Sequence, residues 1–421
     1  MLTSELLNAV ENGAYDKRFS QLYSDISEAK MRYSQAISGF LKLYGEKDCE
    51  LFSVSGRSEI LGNHTDHNKG CVLAASVSVD IIAVASKTEG GVIRVKSEGF
   101  DEDVCDISAL TPSDDEKGTS LSLIRGVCDG FAKKGFEIGG FCAYTTSSVA
   151  KGSGLSSSAA FEDMIGNILS HFYNGGTVST TEIAIIAQYA ENEFYGKPCG
   201  LMDQVACANG GFVYIDFKTT PPVIEKIDFA PDKFGYDMCI VNTFGSHAGL
   251  DDEYGAMPKE MKSVASFLGS DVLINADENE FFKNIPAIRE KCGDRAVLRA
   301  IHFYDECARV KKMKTALENN DMETFLDCEN DSCNSSEKYL QNVYACGNPS
   351  EQGVALALCL TRRFLCGEKF SARVHGGGFA GTVQIFLPKE KTQAYTEFID
   401  GVFGLGACKV LKVRPLGALK L

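Results

Sequence analysis

The fold is predicted most directly by the stretch Gly152-Ser-Gly-Leu-Ser-Ser-Ser-Ala-Ala160. Small residues let a backbone approach a ligand closely, and their N–H groups can point at phosphate oxygens. After Ser158, apolar residues recur at helical spacing from Phe161 to Phe172, which predicts a helix whose positive end faces that ligand. A flexible Gly/Ser linker is the alternative, but such linkers are rarely followed at once by an amphipathic helix. We therefore expect a phosphate loop, although it lacks the G-K-[ST] ending of a Walker A motif.

Outward from this loop, strand and helix patterns alternate in a way that favours two α+β domains over a single doubly wound sheet. Helices are expected at about 23–44, after Ser158, after the capping pair Ser179 and Glu182, around 284–317 and around 350–366. Strands are expected at Leu51–Val54, at Val77–Ala85, in a hairpin at Gly90-Gly91 followed by VIRVKS, near Tyr236 and at VQIFL (383–387). The acidic segment Asp101–Lys117 is expected to be a surface loop.

Composition narrows the class of protein. The chain has 421 residues and a net charge of −15, which argues against nucleic-acid binding and against docking on an anionic membrane. No apolar run approaches the roughly 18 residues that span a bilayer. The sixteen cysteines are scattered, and the first residues show no basic segment followed by an apolar core. We therefore expect reduced thiols and a cytoplasmic location.

A second motif runs from Gly56 to Gly70 with the sequence GRSEILGNHTDHNKG. Its Arg57, Asn63, His64 and Asp66 form a dense set of donors and acceptors, which suits the hydroxyls of a small polar ligand. Two alternatives remain at this point: a metal site built from the histidines and the aspartate, and a polar surface turn.

A third motif, ENEFYGKPCGLMDQ, begins at Glu191 and includes Gly200 and Asp203. One carboxylate could hold magnesium while the other accepts a proton or orients a nucleophile. The alternative is a helix C-terminus followed by a capping aspartate.

A fourth motif, HGGGFAG, begins at His375 and includes Gly376, Gly377 and Gly378. Consecutive glycines before a strand indicate a backbone that approaches another loop or a phosphate closely. A tight structural turn is equally compatible with this motif alone.

Taken in this order, the four motifs resemble those of the GHMP kinase superfamily, and within it the galactokinase family, over about residues 33–415. The resemblance implies an N-terminal ribosomal-protein-like α+β domain and a C-terminal ferredoxin-like α+β domain, with the active site in the cleft between them. The corresponding division is a helical extension at 1–32, an N-terminal domain at 33–235 and a C-terminal domain at 236–421.

The resemblance also implies an activity: transfer of the γ-phosphoryl group of ATP, with Mg²⁺, to the C1 hydroxyl of a sugar. Galactose is the leading candidate for that sugar. Asp203 would be the catalytic carboxylate, Arg57 its cationic partner, and Ser158 and Glu191 the magnesium ligands. The ATP phosphates would be bound by Gly152, Ser153, Gly154, Leu155, Ser156, Ser157, Ser158 and Ala159. The sugar would be bound by Arg57, Asn63, His64, Asp66, Gly200, Asp203 and Tyr254, and the glycine loop Gly376–Gly378 would complete the site.

Some positions depart from the family pattern. Galactokinases usually have Val-Asn where this chain has Ser58-Glu59, Glu at position 63 and Tyr at position 67, and that Glu accepts a hydrogen bond from the 6-hydroxyl of the sugar. Asn63 and His67 therefore leave open a kinase for N-acetylgalactosamine, a uronic acid or a pentose. A non-catalytic sugar sensor on the same fold is a further alternative. We expect a monomer or a weak dimer.

Overall fold

Two β-sheets with helices packed against them organise the chain, which confirms the predicted α+β fold. The structure is a computed structural model that describes residues 1–149 and 154–421. Its helices are α1 (Thr3–Glu11), α2 (Asp16–Leu22), α3 (Ile26–Tyr44), α4 (Ser120–Lys133), α5 (Ser157–Tyr173), α6 (Thr180–Ala190), α7 (Met202–Asn209), α8 (Asp251–Phe267), α9 (Glu278–Lys283), α10 (Ile285–Cys292), α11 (Asp294–Glu318), α12 (Met322–Ser335), α13 (Gly353–Phe364) and α14 (Lys389–Phe403). Its strands are β1 (Glu50–Leu61), β2 (Cys71–Lys87), β3 (Val92–Ser97), β4 (Glu102–Asp106), β5 (Phe141–Ser147), β6 (Phe212–Asp216), β7 (Val223–Ile227), β8 (Tyr236–Asn242), β9 (Ser371–His375), β10 (Thr382–Pro388), β11 (Cys408–Leu411) and β12 (Leu419–Lys420).

The larger sheet has the strand order β12-β1-β2-β5-β3-β4, with β6 and β7 added beside β2. Its longest pairing joins β1 and β2 in an antiparallel ladder from Glu50 opposite Ala85 to Leu61 opposite Leu73. The connection between these two strands is the second motif, so the polar turn is held at the end of a long buried ladder. The register shifts between Ser55 and Gly56 and again between Glu59 and Leu61. Such irregularities redirect side chains, and here they flank Arg57.

The hairpin predicted at Gly90-Gly91 is wrong. Strand β5 lies between β2 and β3, and β3 pairs with β5 in parallel. The segment predicted as a loop at Asp101–Lys117 contains β4, which pairs with β3. The first error arises because a local turn signal does not report that a strand from elsewhere in the chain, β5, inserts beside β2. The second arises because the acidic, turn-rich composition of this segment conceals a short strand that pairs with its neighbour β3.

The smaller sheet has the order β11-β8-β10-β9, and every pairing in it is antiparallel. Helices α13 and α14 bury apolar residues against it, including Leu358 and Ile399. The fourth motif lies between β9 and β10, at the edge of this sheet that faces the larger one. The short strand β12 then pairs with β1, which returns the end of the chain to the larger sheet.

The N-terminal segment forms two short helices before α3 begins, where a single added helix was expected. These helices pack on α3 and on the outer face of β1 and β2. All sixteen cysteines are free thiols, and most are buried. In residues 1–149 and 154–421, no helix is both long and apolar enough to cross a membrane.

Candidate active site between the two sheets

A bidentate ion pair joins Arg57 on β1 to Asp203 in the first turn of α7. Arg57 Nε donates to Asp203 Oδ1 at 2.7 Å, and Nη2 donates to Oδ2 at 2.6 Å. Arg57 is buried, while the Asp203 side chain is 30% exposed. Burial would raise the pKa of Asp203, but the charge and hydrogen bonds of Arg57 lower it below its ordinary value. Asp203 is therefore an ionised carboxylate with a fixed orientation.

The described part of the phosphate loop is anchored on the same arginine. Arg57 Nη1 donates to the carbonyl of Gly154, and the backbone N–H of Arg57 donates to the carbonyl of Leu155 at 3.1 Å. The loop and the carboxylate are thus held by one guanidinium group. The predicted phosphate contacts of Gly152 and Ser153 lie outside the described residues.

The helix predicted after Ser158 is present as α5 and begins one residue earlier, at Ser157. Its N-cap, Ser156, has the positive φ of 56°, which turns its hydroxyl toward Asp203 Oδ2 for a hydrogen bond. Ala159 is completely buried, so only its backbone could serve a ligand. The open N–H groups of α5 and its positive end therefore lie next to the catalytic carboxylate candidate.

A buried group of oxygen ligands lies beside this helix start. Ser158 Oγ donates to Glu191 Oε1 at 3.2 Å, and Gln204 Nε2 donates to Glu191 Oε2 at 2.9 Å and to Glu162 Oε2 at 3.1 Å. Glu162 Oε1 is buried and has no partner among the described residues. Burial and the nearby charge of Glu191 raise the pKa of Glu162. Lys197 approaches Glu191 Oε1 at 3.5 Å from the solvent side.

The polar turn of the second motif meets the third motif at Asp66 and Gly200. A Cβ atom on Gly200 would lie 2.7 Å from Asp66 Oδ2, so a larger residue here would require the Asp66 carboxylate to shift. His67 is the residue nearest to Asp66 in the turn, with Nε2 at 3.7 Å from Oδ1. The described residues contain no group of three or more His, Cys, Asp or Glu side chains arranged to hold a metal ion.

The same turn is tied to the glycine loop of the smaller sheet. His64 Nε2 donates to the carbonyl of Gly377 at 3.0 Å, and Asn63 Nδ2 donates to the carbonyl of Gly376 at 2.7 Å. Burial and the nearby His67 lower the pKa of His64, so its ring is neutral at neutral pH. The predicted sugar residues and the predicted glycine loop are therefore in direct contact.

Tyr254, near the start of α8, also contacts this loop. Its hydroxyl donates to the carbonyl of Gly378 at 2.7 Å and lies 2.8 Å from His247 Nδ1. Burial raises the pKa of Tyr254 to about 12, so the hydroxyl remains protonated. Gly378 has a φ of 82°, and a Cβ atom there would lie 2.2 Å from the carbonyl oxygen of Asn342, so no other residue fits.

A small open pocket of about 90 Å³ lies where these elements meet. It is lined by Glu59, Gly62, His64, Asp66, His67, Val72, Met202, Gly376 and Gly377. A larger groove of about 380 Å³ lies between α2 and strands β8 and β11, and none of the predicted site residues lines it. We assign the site to the smaller pocket because its lining includes the predicted site residues His64, Asp66, Gly376 and Gly377.

Sequence reasoning missed three side chains around this pocket. Arg373 on β9 donates through Nη2 to Glu59 Oε1 at 2.9 Å, and Asn342 Nδ2 donates to Asn63 Oδ1 at 2.7 Å. Lys197, beside Glu191, is the third. The sequence shows that Glu59 and Asn63 are four residues apart. Only the tertiary structure shows that Glu59, and not Asn63, lines the pocket.

Comparison with known proteins agrees with this geometry. Residues 122–211 match the family of GHMP kinases N terminal domain, and residues 38–87 match the galactokinase galactose-binding signature. The chain is 30% identical over 366 residues to galactokinase of Glaesserella parasuis serovar 5 (strain SH0165), covering 86% of this chain and 91% of that protein. The chain belongs to the galactokinase family.

Other relatives of the family extend the match over nearly the whole chain. Galactokinase of Streptomyces coelicolor (strain ATCC BAA-471 / A3(2) / M145) is 27% identical over 398 residues, which cover 91% of this chain and 97% of that protein. The crystal structure of Lactococcus lactis galactokinase complexed with galactose has a TM-score of 0.76 at 24% identity and covers 91% of this chain and 98% of that one. The crystal structure of L. major mevalonate kinase in complex with R-mevalonate has a TM-score of 0.58 at 13% identity and covers 88% of this chain and 96% of that one. The galactokinase fold therefore extends well beyond the matched motifs.

Proposed function

We propose that this member of the galactokinase family transfers the γ-phosphoryl group of ATP to the C1 hydroxyl of galactose. The observation that carries the proposal is the bidentate pair of Arg57 and Asp203, placed between the start of α5 and the polar pocket. In that position one carboxylate can meet a sugar hydroxyl on one side and the phosphates of ATP on the other. Phosphoryl transfer depends mainly on such positioning and on charge stabilisation.

Sugar and nucleotide would occupy adjacent parts of this site. His64 and Asp66 support a sugar pocket because both line one cavity. Gly200 lies against the Asp66 carboxylate, and the Tyr254 hydroxyl donates to the carbonyl of Gly378 in the adjoining glycine loop Gly376–Gly378. For ATP, the donors would be the backbone of residues 152–159 and the N-terminus of α5. This mode of binding explains how a chain with a net charge of −15 can hold a nucleotide without a basic patch.

The residues present also fit a magnesium ion. Ser158 and Glu191 bring a hydroxyl and a carboxylate oxygen within 3.2 Å of each other, and these are the ligand types that magnesium prefers. The unpartnered Glu162 Oε1 lies in the same cluster. When bound, magnesium would offset the charge of the β- and γ-phosphates. We expect Glu191→Gln to raise the magnesium concentration needed for half-maximal activity, and an unchanged requirement would contradict this assignment.

The chemical step follows from the protonation state of Asp203. Because Arg57 lowers its pKa, Asp203 is a weak base, and its first task is to orient the sugar hydroxyl through a hydrogen bond. The C1 oxygen then forms the new bond to the γ-phosphorus while the bond to the bridging oxygen of ADP breaks. The hydroxyl proton passes to Asp203 late in the transfer, when the oxygen has become acidic.

The test is a coupled assay of ADP release across galactose, N-acetylgalactosamine, galacturonate and pentoses. Galactose should give the highest kcat/KM, and phosphorus NMR should show a sugar 1-phosphate. A higher kcat/KM with one of the other sugars would replace galactose as the substrate. Binding of galactose and ATP without ADP formation would support a sensor and overturn the kinase proposal.

Several broader expectations remain proposals. The division at 32/33 and 235/236 is supported by the two separate sheets, although α3 spans the first boundary and β12 returns to the larger sheet.

The scattered, mostly buried thiols support a reducing cytoplasm. The acidic surface supports a protein that binds no nucleic acid, and we propose a monomer or weak dimer.

A further inference from the structure

Positions 59 and 63 carry a glutamate and an asparagine, the reverse of the usual order in the galactokinase family. The family resemblance implies that the glutamate usual at position 63 accepts a hydrogen bond from the 6-hydroxyl of the sugar. Here the negative charge has moved four residues back along β1. The two side chains remain in contact, because Asn63 Nδ2 donates to Glu59 Oε1 at 3.0 Å. The exchange therefore moves the carboxylate by about the length of one hydrogen bond.

Asn63 is fully engaged within the protein. Its Nδ2 group has two hydrogens, and these go to Glu59 Oε1 and to the carbonyl of Gly376. Its Oδ1 accepts a hydrogen bond from Asn342 Nδ2 at 2.7 Å, and the residue is 1% exposed. No donor on Asn63 is left for a sugar hydroxyl, and its burial keeps its oxygen away from the pocket.

Glu59 differs from Asn63 because neighbouring side chains hold only one of its two carboxylate oxygens. Its Oε1 is held by Asn63 and by Arg373 Nη2, and Arg373 also donates to the backbone carbonyls of Glu59 and Ile60 at 3.2 and 2.7 Å. Its Oε2 accepts no hydrogen bond from the part of the chain that the structure describes. The Glu59 side chain is 8% exposed. Glu59 lines the pocket together with His64 and Asp66.

We propose that Glu59 Oε2 accepts a hydrogen bond from the galactose 6-hydroxyl, that Arg373 holds Glu59 in place, and that Asn63 is a positioning residue for the glycine loop. This inference rests on the proposed function. A carboxylate held by a fixed arginine favours a sugar with a hydroxyl at C6 over one with a methyl group there. It also repels a sugar with a carboxylate at C6, so uronic acids are excluded as substrates.

The experiment compares galactose with 6-deoxygalactose in the full-length wild-type protein and in Glu59→Gln. A hydrogen bond to a charged group predicts that the wild type prefers galactose by about 10- to 150-fold in kcat/KM. In Glu59→Gln this preference should fall toward tenfold or less, mainly through the KM for the sugar, with the KM for ATP unchanged. Galacturonate should become a better substrate in the variant.

A second variant separates the two residues. Asn63→Ala should raise the KM for galactose and for 6-deoxygalactose by similar factors and leave their ratio within about threefold of the wild type. The exchange variant carrying both Glu59→Asn and Asn63→Glu should retain the preference. Thermal unfolding and the KM for ATP check that each variant is folded.

These experiments separate failure of the proposed kinase function from failure of the proposed role of Glu59. A wild type that is inactive on galactose would overturn the proposed function itself. A wild type that is active but shows the same preference as Glu59→Gln would overturn the role of Glu59 alone. Loss of the preference in Asn63→Ala would likewise overturn it and return the contact to position 63.

Discussion

Arg57 and Asp203 are separated by 146 residues in the chain and are joined by two parallel hydrogen bonds of 2.7 and 2.6 Å. The planar guanidinium matches both carboxylate oxygens, so the pair fixes direction as well as charge. Through its third nitrogen Arg57 also holds the carbonyl of Gly154 in the phosphate loop. One buried side chain on β1 therefore connects the loop that we propose binds the nucleotide to the carboxylate that we propose faces the sugar.

Removing the Asp203 carboxylate should abolish phosphoryl transfer without abolishing ATP binding. In Asp203→Asn we expect kcat to fall about 10²- to 10⁴-fold, because the amide cannot take up the hydroxyl proton and no longer offers two acceptor oxygens to Arg57. ATP affinity, measured by calorimetry, should change little. Turnover close to the wild-type rate would remove Asp203 from the mechanism.

The arginine can be tested separately with Arg57→Lys, which keeps the positive charge but loses the planar guanidinium group and its two parallel hydrogen bonds to Asp203. We expect kcat to fall about 10²-fold, because an ammonium group cannot hold both Asp203 oxygens and the Gly154 carbonyl at once. Steady-state kinetics with galactose and ATP measure the effect. Activity equal to the wild type would show that charge alone is sufficient.

Asp80 is expected to be the most costly ion-pair residue for stability. It is completely buried, with Oδ1 2.9 Å from Arg32 on α3 and Oδ2 3.0 Å from Arg414 near the C-terminus. Asp80→Asn leaves both arginines without their counter-charge, so we expect a loss of about 3–5 kcal/mol in the free energy of unfolding. Urea denaturation measures it. Asp48→Asn, at an exposed carboxylate, is the matched control and should change stability by less than about 0.5 kcal/mol.

The same residue gives an acid dependence with a defined sign. Burial would raise the pKa of Asp80, but Arg32 and Arg414 lower it below the unfolded value. Its contribution to stability is therefore fully present above about pH 4 and is lost as the pH falls through the lowered folded pKa. The stability difference between wild type and Asp80→Asn should narrow in that acid range. A difference that stays constant would show that Asp80 is not paired as described.

Glu329 on α12 should behave in the opposite way. Both of its oxygens are buried and have no hydrogen-bond partner in residues 1–149 and 154–421. Burial raises its pKa to about 8, against the attraction of Arg373 and with added repulsion from Glu306 and Glu59. The folded state keeps the proton that the unfolded chain releases near pH 4, so this group lowers stability as the pH rises from about 4 to 8.

Replacing Glu329 by glutamine should remove this loss. Glu329→Gln resembles the protonated acid, so we expect it to gain about 1–3 kcal/mol over the wild type at pH 8 relative to pH 5. Denaturation at several pH values measures the gain. The control is Glu323→Gln, an exposed glutamate on the same helix, which should show no such trend. A flat difference for Glu329→Gln would contradict the raised pKa.

His375 stands directly before the glycine loop Gly376–Gly378. It is buried, with Nε2 2.9 Å from Ser58 Oγ and Nδ1 2.9 Å from Thr382 Oγ1, and its ring lies against Gly154. Burial, with the charges of Arg57 and Arg373, lowers its pKa well below the ordinary value, so the ring stays neutral.

Truncating this histidine should weaken the support of the phosphate loop. His375→Ala removes one hydrogen-bond partner from each of the Ser58 and Thr382 hydroxyls and leaves a cavity, so we expect a loss of about 2–4 kcal/mol in unfolding free energy and a higher KM for ATP. Ser58→Ala removes only one of these bonds and should cost less. If His375→Ala changes stability but not the KM for ATP, the ring acts only in packing.

Much of this site could be predicted from local sequence. The stretch before Phe161 predicted a helix start next to a phosphate loop, and α5 begins at Ser157. The capping residue Ser179 also stands where expected, with its hydroxyl accepting from the N–H of Glu182 at 3.2 Å. Helix starts are local, because the residues that satisfy the first N–H groups lie within one turn of them.

The errors concern contacts between distant segments. The turn signal at Gly90-Gly91 is present, but β5 occupies the place where the partner strand was expected. Strand order depends on which surfaces bury the most apolar area, and no short window contains that information.

The sequence by itself indicated the galactokinase family and the helix that begins at Ser157, and it predicted a phosphate loop and the residue types that a phosphoryl transfer requires. Only the tertiary structure decided how those groups meet: Arg57 with Asp203, Asp66 with Gly200, and Glu59 rather than Asn63 at the pocket wall. The physical reason is that hydrogen bonds and ion pairs act over a few ångströms in space, whereas these partners are far apart in the chain or compete for the same pocket. Packing alone brings the first two pairs together, and packing alone leaves one oxygen of Glu59 facing the pocket.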